Sequence, residues 1–199
     1  MIRFRADETC QDGRLGSEKD RMLRGEPYLA NDPALLLERK SCRLLCERFN
    51  ATSFDDRAAR RAILHELLGQ VGEGAEVMAP FECDYGYHIS VGARTFINYG
   101  AVILDGAEVT IGDDVQIGPS VQLLTALHPL DPTERRRGTE TAKPVTIGDG
   151  AWLASGVIVL PGVSIGADAV VGAGSVVTGD LPAGHLCLGN PCRVIRQIA

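Results

Sequence analysis

No stretch of about eighteen apolar residues occurs anywhere in the 199-residue chain, so a membrane span is not expected. The first twenty residues, MIRFRADETCQDGRLGSEKD, are charged and lack an apolar core segment, which argues against a secretory leader. Positive charge is scarce. The net charge is −6 and the one dense basic run is Arg135-Arg136-Arg137, so a nucleic-acid binder is not expected either. That run reads as a solvated loop, or as a local attractor for a phosphate. The six cysteines, at 10, 42, 46, 83, 187 and 192, include no pair with the two-residue gap of a zinc ribbon. They read as reduced, packed thiols of a cytoplasmic protein, with Cys42 and Cys46 four apart on a helix face. Histidine is rare too, with four in the chain.

What is abundant is a period of six. In VTIGDGAWLASGVIVLPGVSIGADAVVGAGSVVT, residues 145–178, one register holds Ile147, Leu153, Val159, Ile165, Val171 and Val177. Small residues follow most of these, and Val145, Ala151, Val157, Val163, Ala169 and Ser175 form a second column two positions earlier. A period of six suits strands, whose side chains alternate, and not a helix of 3.6 residues per turn. A repeat this short and sustained predicts a solenoid whose strands each bury one large aliphatic, the small residue letting the chain turn a corner.

The register extends upstream through Val71, Val77, Cys83 and Ile89, then Val91, Ile97 and Ile103. It slips by two at Asp105-Gly106, then resumes at Ile111, Ile117 and Leu123. It fails between Leu124 and Val145, in a polar segment with three prolines. Positions 123 and 147 remain a whole number of sixes apart, which predicts a loop thrown out of an otherwise continuous coil. Ahead of Gly69 the pattern is helical. Ser17 caps a short helix to Arg24, a second helix starts near Asp32 or Pro33, and a third runs over Arg57–Leu68. The tail, GNPCRVIRQI, predicts a last strand or short helix.

Residues 17–199 resemble the maltose and galactoside O-acetyltransferases, a hexapeptide-repeat group that also contains nodulation-factor acetyltransferases. The resemblance rests on MLRGEPYLANDPAL, HPLDPTERRRGTETAKPVTIGDGAWLASGVIVLPGVSIG, VVGAGSVVTGDLP and GNPCRVIRQI, in that order. It implies a mainly β chain: a left-handed parallel β-helix with three strands per coil, an N-terminal helical cap and an extruded loop, assembled as a homotrimer with active sites between subunits. The left hand comes from the resemblance alone, because the usual crossover rule gives the opposite hand. The expected layout is a polar extension over 1–16, the cap over 17–69, the coil over 70–190 with its loop at 125–144, and a terminal segment over 191–199.

The implied reaction moves an acetyl group from acetyl-CoA to a hydroxyl of a sugar or glycoside, in a ternary complex and without a metal. His128, in the extruded loop before Pro129, is the expected general base; an imidazole is well matched to taking a hydroxyl proton at neutral pH. The resemblance places Asn98, Asp105 and Asp84 at the acceptor, Asp84 standing where some relatives have Ser. The acid that a relative's cap contributes is replaced here by Ala30, with Asp32 two residues on. Ser155, Trp152, Ala173, Thr178, Arg193 and Arg196 are expected along acetyl-CoA. No two of His65, His88 and His185 sit at the spacing of an inter-strand zinc site, which argues against the carbonic anhydrases that share this coil. The alternatives are transfer to a non-sugar hydroxyl, such as an antibiotic or serine, and a non-catalytic trimeric scaffold.

Overall fold

The computed structural model describes residues 16–198; the rest of the expected polar extension, with Cys10, lies outside the described residues. Helix α1, Glu18–Leu23, starts at a capping box in which Ser17 and Asp20 satisfy each other's backbone amides. Helix α2, Pro33–Ala51, is capped by the Asp32 carboxylate, which accepts from the amides of Ala34 and Leu35. Helix α3, Arg57–Leu67, is capped by Asp56. The link between α1 and α2 holds a two-residue strand, Tyr28–Leu29.

From Gln70 the chain winds as a prism with three parallel sheets as faces. The first face stacks Gln70–Val71, Ile89–Val91, Val109–Ile111, Val145–Ile147 and Ser164–Ile165. The second stacks Glu76–Val77, Phe96–Ile97, Gln116–Ile117, Trp152–Leu153 and Val170–Val171, and ends on His185–Leu188 with antiparallel Arg193–Gln197. The third stacks Phe81–Cys83, Ala101–Leu104, Gln122–Leu124, Ile158–Val159 and Val176–Val177. The terminal segment is thus a strand.

Both columns of the repeat face inward. Ile147, Leu153, Val159, Ile165, Val171 and Val177 are at most 1% exposed, and their smaller partners two positions earlier at most 2%. Each large aliphatic buried this way contributes roughly 1.5–3 kcal/mol over exposure. The small residue after the aliphatic has a different cause from the one expected. A methyl on Gly148 would lie 2.5 Å from the amide nitrogen of Ala167 in the next turn, so close stacking of coils, not a special dihedral, requires glycine there. The left-handed dihedral falls two residues later, at Gly150 with φ +67°.

The cap closes one end of the prism. Cys46 and Phe49 of α2 and Ile63, Leu64 and Leu67 of α3 join the same buried cluster as the coil interior. Asn50 pairs with Phe81 as a strand would, accepting from its amide at 2.9 Å and donating to its carbonyl at 3.1 Å. The junction is pinned further by Arg60, which donates to the Val77 carbonyl and lies over the Phe49 ring.

Candidate active site

Every register break falls on one corner, between the third and first faces. Val71 pairs with Val91 and Val91 with Ile111, so these turns take 20 residues each, whereas Ile147 pairs with Ile165 after 18. The slip at Asp105-Gly106 is as expected. A second slip follows Cys83 and was hidden, because Ile89 is an inward residue of the earlier column, opposite Val109, and only mimics the register. The segment between Leu124 and Val145 leaves the same corner. It is ordered: strands Ala126–Leu127 and Thr139–Ala142 form a hairpin around helix α4, Pro132–Arg136. The outer strand pairs with Tyr28–Leu29 of the cap. Arg135 of the basic run donates to the carbonyls of Pro129 and Leu130, holding the turn after His128.

Asp105, expected to meet sugar hydroxyls, is fully buried. Its Oδ1 accepts from the backbone amides of Asp84 and Tyr85 at 3.0 and 2.9 Å, which locks one turn of the corner to the next. Among the described residues its Oδ2 has no hydrogen-bond partner. Asp105 thus fixes the backbone at Asp84, whose half-buried carboxylate lines a cavity of about 190 Å³ with Tyr28, Arg39, Tyr85 and Glu140. Burial, and then the Asp105 carboxylate, pushes Asp84 up to about 6, against the opposing pull of Arg39. Arg39 is fixed by bonds to the Tyr85 hydroxyl at 2.6 Å and to the Ala30 carbonyl. Ala30 packs with Met22, Tyr28, Leu35 and Tyr85 in a second small core, and Asp32 is committed to its helix cap.

His128 is exposed at the rim, with Nδ1 3.7 Å from Oε1 of Glu140. The hairpin pairs Leu127 with Thr141, which brings His128 opposite Glu140 in the next register position. On its other side Glu140 pairs with Tyr28, whose hydroxyl donates to Oε2 at 3.1 Å. Burial, then the Glu140 charge, raises the Tyr28 hydroxyl far above its ordinary range, so it stays a donor. Sequence reasoning singled out none of Glu140, Tyr28, Tyr85 and Arg39 as site residues. The one available signal was Arg39, which falls by helical spacing on the face of α2 that carries Leu35, Cys42 and Cys46.

The remaining candidates lie elsewhere on the prism. Asn98, Ser155 and Ala173 turn the corner between the second and third faces, in three different coils. Asn98 is half-buried and its Oδ1 accepts from the Tyr99 amide; Ser155 and Ala173 are exposed. Trp152 is 51% exposed on the second face beside that corner. Thr178 turns the same corner as His128, further along the axis. Arg193 and Arg196 are exposed on the closing strand of the second face. A prism side of five or six residues separates the corners by roughly 15–20 Å. Within one chain His128 and Asp84 thus stand at one edge, and Asn98, Ser155 and Ala173 at another.

Two protein-family models match the chain: the maltose acetyltransferase hexapeptide capping motif over residues 21–72, and the bacterial transferase hexapeptide (six repeats) over residues 144–179. Nodulation protein L of Rhizobium leguminosarum bv. viciae is 51% identical over 89% of this chain and 94% of its own. The crystal structure of a maltose O-acetyltransferase from Clostridium difficile 630 superposes with a TM-score of 0.91 at 46% identity, covering 94% of this chain and 100% of that one. A hexapeptide-repeat acetyltransferase of Vibrio cholerae, solved with acetyl coenzyme A, gives a TM-score of 0.86 at 40% identity, covering 92% of this chain and 100% of that one.

Proposed function

The chain belongs to the hexapeptide-repeat acetyltransferases that carry the maltose acetyltransferase cap, and from that premise we propose that it transfers the acetyl group of acetyl-CoA to a hydroxyl of a sugar or glycoside. The observation that carries this reading is the polar cavity at the prism corner: two carboxylates, a guanidinium and two phenols, with an exposed imidazole beside Glu140. Convergent polar side chains of both signs suit a polyol, which offers hydroxyls as donors and acceptors.

In this mechanism His128 takes the proton from the attacking hydroxyl. Glu140 faces Nδ1, leaving Nε2 toward the acceptor. A new ester bond forms at the acceptor oxygen, the bond from acetyl carbon to sulfur breaks, and the proton passes from His128 to the departing sulfur. Asp84 and Arg39 hold neighbouring hydroxyls, and Asn98 fixes the reacting one. Ser155 donates to the carbonyl oxygen of the thioester, where an aimed donor is worth about 3–4 kcal/mol. No covalent acyl-enzyme is needed, and positioning of two substrates supplies much of the rate.

The residues fit acetyl-CoA. A methyl placed on Gly156 or Gly174, beside Ser155 and Ala173, would meet nothing within 4 Å, so this edge is an open ledge that can take a narrow pantetheine arm. Trp152 lines the approach, Thr178 contacts the arm from the other corner, and Arg193 and Arg196 meet the phosphates and adenine with paired bonds. Because the two groups of residues stand on different corners, the complete site needs two copies of the chain. We assign it to the interfaces of a homotrimer, in which one copy's His128 corner faces its neighbour's Ser155 corner.

The test is thiol release from acetyl-CoA across a panel of mono- and disaccharides and glycosides. Turnover with a sugar that His128→Ala reduces by about 10²–10⁴ fits the proposal. Turnover with serine or a non-sugar antibiotic but no sugar or glycoside would replace the acceptor class, and undiminished activity of His128→Ala would remove the base.

A further inference from the structure

We propose that Cys42, Cys46 and Cys83 bind one zinc ion that clamps the helical cap to the first turn of the coil. Cys42 and Cys46 are four apart on the buried face of α2, and Cys83 ends the first strand of the third face, against which α2 packs. The three sulfur atoms all lie within 4.8 Å of one another. Sγ of Cys83 is 3.5 Å from Sγ of Cys42 and 3.7 Å from that of Cys46. Three sulfurs at about 2.3 Å from a tetrahedral zinc stand about 3.8 Å apart, so the ion enters with small side-chain adjustments.

Among the described residues no fourth His, Cys, Asp or Glu joins the three sulfurs. Cys42 and Cys46 are buried, while Cys83 is half-buried and borders a solvent opening of about 430 Å³. Water admitted there completes the tetrahedron. Binding forms three zinc–sulfur bonds and releases three thiol protons to solvent, with no change of oxidation state. The product carries one net negative charge. Arg39, Lys40 and Arg43 line the opening against Glu82 and Asp84, an excess of one positive charge beside the site. The sequence spacing concealed this set, because the third sulfur arrives from a strand 37 residues beyond Cys46. Soft thiolates favour zinc over calcium or magnesium.

The experiment uses the full chain, reduced and freed of metal, with zinc chloride and cobalt chloride as probes. One equivalent of cobalt per chain should give an intense thiolate-to-cobalt charge-transfer band that zinc then abolishes. Zinc at a hundredfold excess over its Kd should raise Tm by about 5–10 °C. Cys83→Ser and Cys42→Ser should lose the band and the Tm rise, while Cys192→Ser keeps both. Wild-type protein needs no variant for a third readout: zinc should shield Cys42, Cys46 and Cys83 from iodoacetamide, mapped by mass spectrometry. Absence of the band, equal alkylation with and without zinc, or an unchanged response in Cys83→Ser would overturn the proposal. None of these readouts involves acetyl transfer, so their failure leaves the proposed function untouched.

Discussion

Glu140 stands between the imidazole of His128 and the hydroxyl of Tyr28: Nδ1 lies 3.7 Å from its Oε1, and Tyr28 donates to its Oε2 at 3.1 Å. One carboxylate thus joins the extruded hairpin, the cap strand and the proposed base. Glu140→Gln keeps the bond from Tyr28 and removes the charge facing the imidazole. We expect kcat to fall about 10–100-fold, with KM for acetyl-CoA and Tm unchanged. Steady-state kinetics and a melting curve on the same preparation check this, and a fall in Tm with a matching loss of active protein would make Glu140 purely structural.

Asp84 should make stability depend on pH. Its folded pKa is raised to about 6, whereas an unfolded aspartate sits near 4. Between these values the folded chain holds a proton that the unfolded chain has lost, so stability is full below about pH 4 and falls as pH rises through about 6. Asp84→Asn removes this cost. The variant should match wild type near pH 4 and exceed it by up to about 3 kcal/mol above pH 6. Urea unfolding across that range measures the difference, and a variant less stable at pH 8 would show that the carboxylate is favourably paired.

Two corners of one prism imply complementation. His128→Ala and Ser155→Ala should each be nearly inactive alone. Mixed trimers obtained by co-expression should recover part of the wild-type rate, because some interfaces then combine an intact His128 with an intact Ser155. Tagged purification of mixed trimers followed by thiol release tests it. No recovery from properly mixed assemblies would place both residues in a site made by one chain.

Glycines of the repeat should fail for two different reasons. Gly156 has φ +68°, and a methyl group added there would meet nothing within 4 Å, so Gly156→Ala should cost about 1–2 kcal/mol and Gly156→Asn less. Gly148 has no such dihedral but would press a methyl onto the Ala167 backbone. Gly148→Ala should cost more, and Gly148→Asn more still. Chemical denaturation of the four variants separates a dihedral cost from a steric one; equal rescue by Asn at both sites would contradict it.

The coil itself was legible in the residues. A column such as Ile147 to Val177 records the geometry of a six-residue side directly, because strand alternation and corner spacing are local properties of the chain. The caps of α1 and α2 were legible for the same reason: Ser17 with Asp20, and Asp32 with Pro33, act within one turn. The extra residues after Cys83 were not, since two inward columns make Ile89 look in register until its partner Val109 is known. Only the folded chain stacks the two short insertions and the hairpin on one corner, buries Asp105 behind Asp84 and sets Glu140 between His128 and Tyr28. Those outcomes depend on pairings such as Tyr28 with Glu140, across 112 residues, which the summed lengths of all intervening turns decide and no local pattern encodes.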